Sequence, residues 1–264
     1  MGVLLLALPT VLLSACGGGG GGGGGGGESG GPILNTSAEG AYAGTASRSL
    51  TANTPRIDAT NDLHLVVLAS GQYWAITSFN TSGVYFPAGF VTGQFASLNS
   101  HPLLADTTDY SLAARPAGTM AAIHVSSTSF SASVTDPAGS INLTAAAMPA
   151  TQVDFAQTPS LATISGTWNF RDRSFNPGVL TISATGTLAG SAAGCDFTGT
   201  LAAHPSGRHV YTSQITFGPS PCSTPGLVVS GIAFTSMLPN GLRQLAVTGV
   251  SASRSFGTSW LAVR

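Results

Sequence analysis

From about residue 40 to its end, the chain is cut into short segments of alternating or β-branched residues. Examples are "AYAGTAS", "LHLVVLAS", "QYWAITS", "FVTGQFAS", "TMAAIHVSS", "SFSASVT" and "SINLTAA". After a break come "GTWNFR", "VLTISATG", "TLAGSA", "DFTGTLAA", "HVYTSQITFG", "LVVSGIAFTS", "QLAVTGVS" and "SFGTSWLAVR". Turn chemistry falls between them, as in "SGQ", "DPAG", "ATG", "PSG" and "LPNG", and Asn240-Gly241 between apolar runs is a strong hairpin signal. No segment keeps a 3.6-residue period, so little helix is expected. The pattern predicts an all-β chain of antiparallel strands. They form two barrel-like lobes, residues 37–155 and 156–264, or else one larger sandwich.

Two places could carry a helical turn: "SAEG" (37–40) and "TPSLATISG" (158–166), the latter with Thr158 as cap and Pro159 at the first helical position. Each leads into a similar strand start, "EGAYAGT" (39–45) and "SGTWNF" (165–170). Further on, "GFVTGQFAS" (89–97) resembles "GCDFTGTLAA" (194–203). Together these suggest an internal duplication with a period of about 120 residues.

Ahead of the β region lies a different kind of sequence. Residues 3–13, "VLLLALPTVLL", are too few to span a bilayer, which needs about 20, but they suit the apolar core of a secretory signal. The run ends in "LSAC", an aliphatic residue and two small residues before Cys16, as in a bacterial lipobox. The expectation is a signal peptide over 1–15, lipid on Cys16, and a flexible tether over 16–36. Two or three acyl chains at about 0.8 kcal/mol per buried CH₂ hold a protein stably where one does not. Gly17–Gly27 would stay loose, because glycine loses most conformational freedom on ordering. A phosphate-cradling loop is excluded, since no strand precedes the tract and no Lys-Ser/Thr or helix follows it. The expected location is the bacterial cell envelope, anchored in the outer membrane through the N-terminal lipid.

Charge narrows the function classes. Only 7% of residues are charged, all nine cations are Arg, and the net charge is −1. No basic run exists, so nucleic-acid binding is not expected. With Cys16 lipidated, Cys195 and Cys222 remain, and in an oxidising compartment they are expected to pair. Their disulfide would clamp "GCDFTG" to the Pro-rich turn "GPSPCSTPG".

"PSLATISGTWNF", the stretch from "TISATGTLAG" through "GCDFTGTLAA" to "TFGPSPC", and "GLVVSGIAF" resemble the C-terminal half of a family of uncharacterised proteobacterial lipoproteins. The resemblance covers 158–264 well and 38–150 loosely. It implies a two-cysteine β lobe and brings no assigned chemistry. More distantly, the lipidated Cys, the Gly-rich tether and the repeated β lobes look like surface lipoproteins of the transferrin-binding type, in architecture alone.

Candidate chemistry is sparse. His204 and His209 flank "PSGR" across a turn and form a weak candidate ligand or metal site, with only Asp196 as a further ligating group nearby. His64 and His124 read as strand residues and His101 as loop. Asp106 and Asp109 in "ADTTDY" read as a solvated loop, and "FRDRSF" (170–175) as a hairpin tip or a contact surface. The aromatics Tyr73, Trp74, Phe79, Tyr85, Phe86 and Phe90 would pack the core and rim or line a ligand cup. There is no G-x-S-x-G elbow and no S-x-x-K. The expectation is therefore a non-enzymatic binding protein without cofactor. Its partner would be another protein, or a small apolar ligand in a barrel cavity.

Overall fold

The computed structural model describes residues 38–51, 60–81, 84–98 and 102–264. The expected signal peptide, Cys16, the tether and His101 lie outside them. Among the described residues sixteen strands form two closed antiparallel barrels of eight. The N-terminal barrel comprises β1 (Gly40–Leu50), β2 (Thr60–Val67), β3 (Gln72–Thr81), β4 (Val84–Phe95), β5 (Leu103–Asp109), β6 (Ala117–Val125), β7 (Ser129–Asp136) and β8 (Gly139–Ala147). The C-terminal barrel comprises β9 (Gly166–Arg171), β10 (Pro177–Ile182), β11 (Thr187–Ala192), β12 (Cys195–Ala203), β13 (Tyr211–Phe217), β14 (Val228–Met237), β15 (Arg243–Ser251) and β16 (Gly257–Val263). Each strand pairs with its neighbours in sequence, and the last pairs with the first. Two barrels, rather than one sandwich, remove the sheet edges that short polar strands would leave open.

Alternation decides what fills each barrel. Inward positions put Tyr42, Leu65, Tyr73, Phe95, Met120 and Phe130 inside the first. Trp168, Phe170, Phe197, Tyr211, Leu245 and Trp260 fill the second. Outward residues of β2–β4 meet outward residues of β14–β16 and form a third core between the barrels. It buries Val66, Trp74, Phe90, Ile232, Phe234 and Leu261. Fully burying each such side chain is worth about 1.5–3 kcal/mol. Gly257 permits this approach. A Cβ there would lie 2.4 Å from Tyr110 and 2.9 Å from Phe90. Arg208 donates from Nε and Nη2 to the two carboxylate oxygens of Glu39, both at 2.8 Å, and so bridges the barrels.

The two seams that close the barrels differ. β1 and β8 share nine paired positions, whereas β9 and β16 share three, Arg171–Leu261, Phe170–Ala262 and Asn169–Val263.

The paired segments suggestive of a repeat fall on equivalent elements. "EGAYAGT" and "SGTWNF" open the first strand of each barrel, and "GFVTGQFAS" and "GCDFTGTLAA" lie on the fourth. The likeness extends to one hydrogen bond. Tyr42 Oη donates to the Ala38 carbonyl at 3.0 Å, and Trp168 Nε1 donates to the Ile164 carbonyl at 2.7 Å. In each, a large aromatic two residues after the opening Gly ties back to the residue four positions earlier.

Three expectations need correction. Residues 38–39 are irregular rather than helical. The second turn forms as a single 3₁₀ turn over Leu161–Thr163 with Ser160 at its N-cap. Thr158 instead donates its hydroxyl to the Gly207 carbonyl at 3.1 Å. Lastly, "LLADTTD" is a strand, β5, and not a loop. Its inward Leu103, Ala105, Thr107 and Asp109 alternate with more exposed neighbours.

Candidate functional site

In an up-and-down barrel all odd strands end at the same rim. For the N-terminal barrel this rim gathers the ends of β1, β3, β5 and β7 and the starts of β2, β4 and β8. Below it the lumen is plugged by Tyr73, Phe95 and Phe130, with Tyr73 and Phe95 centroids 4.9 Å apart. Above the plug the lumen opens into a cavity of about 390 Å³. That volume lies within the range of about 300–1,000 Å³ of small-molecule sites.

The cavity walls are apolar: Leu50, Phe79, Pro87, Val91, Leu112 and Ile141. Its base is charged. Arg48 sits at an inward position of β1 and donates from Nη2 to Asp109 Oδ2 and, at 2.6 Å, to Ser111 Oγ. Its Nη1 lies 4.0 Å from Asp136 Oδ2, and neither atom has a hydrogen-bond partner. The carboxylates are sealed behind the guanidinium, with side-chain exposures of 0% for Asp109 and 1% for Asp136. Each also organises its own turn. Asp109 Oδ1 accepts from the Ser111 amide at 2.7 Å and from the Ser111 hydroxyl, while Asp136 Oδ1 accepts from the amides of Ala138 and Gly139 at 2.7 and 3.1 Å. The "DPAG" turn thus aims its second carboxylate oxygen into the lumen.

One wall comes from the other barrel. The loop between β9 and β10 carries Arg173 and Phe175 into this cavity. Asp172 builds the loop, accepting at Oδ1 from the amides of Ser174 and Asn176 at 2.8 and 2.9 Å. Arg173 fastens it to the N-terminal barrel by donating to the carbonyls of Tyr110 and, at 2.7 Å, Ser111. Desolvation lowers the Arg173 pKa from its usual value; nearby Asp109 opposes that shift and Arg115 adds to it. Phe175 packs 5.7 Å from Phe79 and 5.4 Å from Phe86, which stack on each other at 5.2 Å. Its φ is +65°, a left-handed conformation that a bulky residue adopts at a cost of order 1–3 kcal/mol. A second cavity, about 480 Å³, opens at the mouth of the C-terminal barrel, lined by Arg115, Asp172, Phe197, Phe217, Phe256 and Trp260. Arg173 borders both.

Cys195 and Cys222 form a disulfide 27 positions apart that ties the start of β12 to the turn before β14. In the chain-entropy account a loop of that size is stabilised by roughly 3–4 kcal/mol. His204 and His209 face different neighbours. His204 Nδ1 accepts from the Ser206 amide at 3.1 Å, and His209 Nε2 lies 3.0 Å from Thr235 Oγ1. Burial lowers the pKa of both, with Asp154 opposing and Arg243 adding to the shift at His209. Among the described residues no three His, Cys, Asp or Glu side chains cluster as metal ligands. The aromatic set divides: Tyr73 plugs the lumen, Trp74 and Phe90 join the inter-barrel core, and Phe79 and Phe86 meet Phe175 at the cavity.

One reading of a single stretch is overturned: Asp109 is no solvated loop residue, being wholly buried on Arg48. "FRDRSF" leads into the hairpin tip between β9 and β10 and is also a contact surface, docked on the N-terminal barrel through Arg173. Sequence reasoning passed over Arg48, Asp136 and Phe175. A signal was present in "ASRSL", where Arg48 shares the alternating face of Ala46 and Leu50 in a chain with few charges.

Neither a protein-family model nor a curated protein matches this chain. Among solved structures, one of a protein of unknown function from the DUF3598 family of Nostoc punctiforme is similar. It covers 85% of this chain and 94% of its own at 14% identity, with a TM-score of 0.26.

Proposed function

We propose that this is a non-enzymatic, lipid-anchored envelope protein whose N-terminal barrel binds a small, largely apolar ligand in its mouth. The observation that carries the reading is the cavity above the Tyr73 plug. It is apolar-walled and barrel-sized, and a loop docked from the second barrel completes it. Eight-stranded barrels are wide enough either to be filled by side chains or to hold one small ligand. Here, among the described residues, the lower half is filled and the upper half is not. The anchor rests on "LSAC" and the glycine tract, which would hold such a binding body beside a membrane.

The test is fluorescence of N-phenyl-1-naphthylamine titrated with the full-length chain. Saturable enhancement is expected, and Ala88→Trp, which fills the cavity, should abolish it. Absence of saturable enhancement, or its survival in Ala88→Trp, would reject the reading. For the anchor, Cys16→Ala should move the protein from membrane to soluble fractions, and persistence in the membrane would defeat that part alone.

A further inference from the structure

Charge at the base of the cavity bears on which ligands it accepts. Among the described residues two guanidinium groups line it, those of Arg48 and Arg173. Neither offers an open fork to an incoming anion. Arg48 Nη2 is held by Asp109 and Ser111, and its Nη1 faces Asp136. Arg173 spends Nη1 and Nη2 on main-chain carbonyls. Bidentate recognition of a carboxylate or phosphate needs two parallel N–H donors on one guanidinium. An anionic head would meet guanidinium charge that Asp109 and Asp136, directly behind Arg48, already cancel, and so gains no net attraction. A cationic head fares no better, because Asp109 and Asp136 lie sealed behind Arg48 and the head meets the arginine first. Among the described residues the remaining polar lining, Thr60, Asn61, Thr77 and Ser111, is uncharged.

From this balance of two cations and two anions we infer that the ligand is an uncharged amphipathic molecule. Its apolar body lies between Phe79 and Phe175, and its head is a hydroxyl or carbonyl that accepts hydrogen bonds at the Arg48 end. This rests on the proposed function and adds the ligand's chemical class. Asp109 is in this view a selectivity residue: its charge cancels that of Arg48 and denies the site to fatty-acid-like anions.

The experiment is displacement of N-phenyl-1-naphthylamine from the full-length chain at pH 8 by 1-dodecanol and by dodecanoate, a pair that differs in the head group. Dodecanol should displace the probe at a concentration at least tenfold lower than dodecanoate. Asp109→Asn, which keeps one of the two acceptor oxygens and removes the charge, should improve dodecanoate at least tenfold relative to dodecanol. Equal or better displacement by dodecanoate from the natural chain would overturn the inference while leaving ligand binding intact. So would a folded Asp109→Asn protein that gains nothing for dodecanoate. Failure of the probe to bind at all would remove the functional reading and this inference with it. Should Asp109→Asn not fold, the comparison on the natural chain decides alone.

Discussion

At the scale of single residues, burial turns a few ionisable groups into stability terms. Among the described residues Arg48 is the cation paired with both Asp109 and Asp136 inside the lumen. Arg48→Met would leave two carboxylates without their counter-charge, and removing one partner of a buried pair costs about 3–5 kcal/mol. A free energy of unfolding in urea lowered by that amount is expected, and a change below about 1 kcal/mol would show that solvent reaches the pair. His64 projects outward from β2 into the inter-barrel contact, its ring edge-on to Phe234 at 5.8 Å. Desolvation lowers its pKa to about 4. The unfolded chain therefore takes up a proton near pH 6.5 that the folded chain takes up only near pH 4. Stability is fully present above pH 6.5 and declines as pH falls toward 4. Since the residue keeps some exposed surface, the effect is on the order of 1–3 kcal/mol. His64→Gln should flatten this part of the urea-midpoint profile, leaving the smaller same-sign contributions of His204 and His209. An unchanged slope would place the pH dependence elsewhere.

At the scale of elements, the β9–β10 loop is an irregular piece held from both sides. Asp172 shapes it, Arg173 fastens it, and Phe175 adopts a left-handed backbone to reach Phe79 and Phe86. Phe175→Gly would relieve that backbone and remove the aromatic wall together. The expected result is a thermal midpoint within a few degrees of the natural chain and an affinity for N-phenyl-1-naphthylamine weaker by about tenfold. Unchanged affinity would mean the ring is only packing. The elements also show what a single sequence discloses. Fifteen strands were legible, because their alternation places Val, Ile, Leu and aromatic residues on one face, as in "INLTA" or "LAVTG". The missing one, β5, places Leu103, Ala105, Thr107 and Asp109 inward, so its C-terminal half has no apolar signal, and Asp is depleted in strands generally. The candidate site was hidden for the same reason. Its base is built from charged groups that burial makes unusual, and its far wall comes from a loop distant in the chain.

At the scale of the whole molecule, two closed barrels share a third core that neither could bury alone. Gly257 is the tightest point of that contact. Gly257→Val should lower stability by about 1–3 kcal/mol, as overpacking does. It should also expose the inter-barrel face, read as increased dye binding to Trp74 and Phe90 surroundings, while each barrel keeps its far-ultraviolet spectrum. A variant as stable as the natural chain would show that the barrels can slide apart without loss. That two lobes exist was visible in the repeated strand starts. How they dock was not, because Val66, Trp74 and Ile76 follow the polar-face register of their strands, and only the partner barrel explains why they are apolar.

The unequal seams carry a dynamic consequence. Proteins open locally before they unfold, and the pieces that open first are those with the fewest cooperative contacts. The nine-position closure of the first barrel ties β1 along most of its length, while the three-position closure of the second leaves much of β9 laddered on one side only. Amides of Phe170 and Ala262 should therefore exchange with deuterium well before those of Ala43 and Ala146, and equal protection would show that the Arg264 guanidinium over Trp168 locks the seam. The weakly zipped strand is also the one that leads into Phe175. Its doubly laddered positions, 169–171, adjoin that loop, and the singly laddered 166–168 lie at the far end, so the seam opens first away from the cavity and leaves its far wall docked.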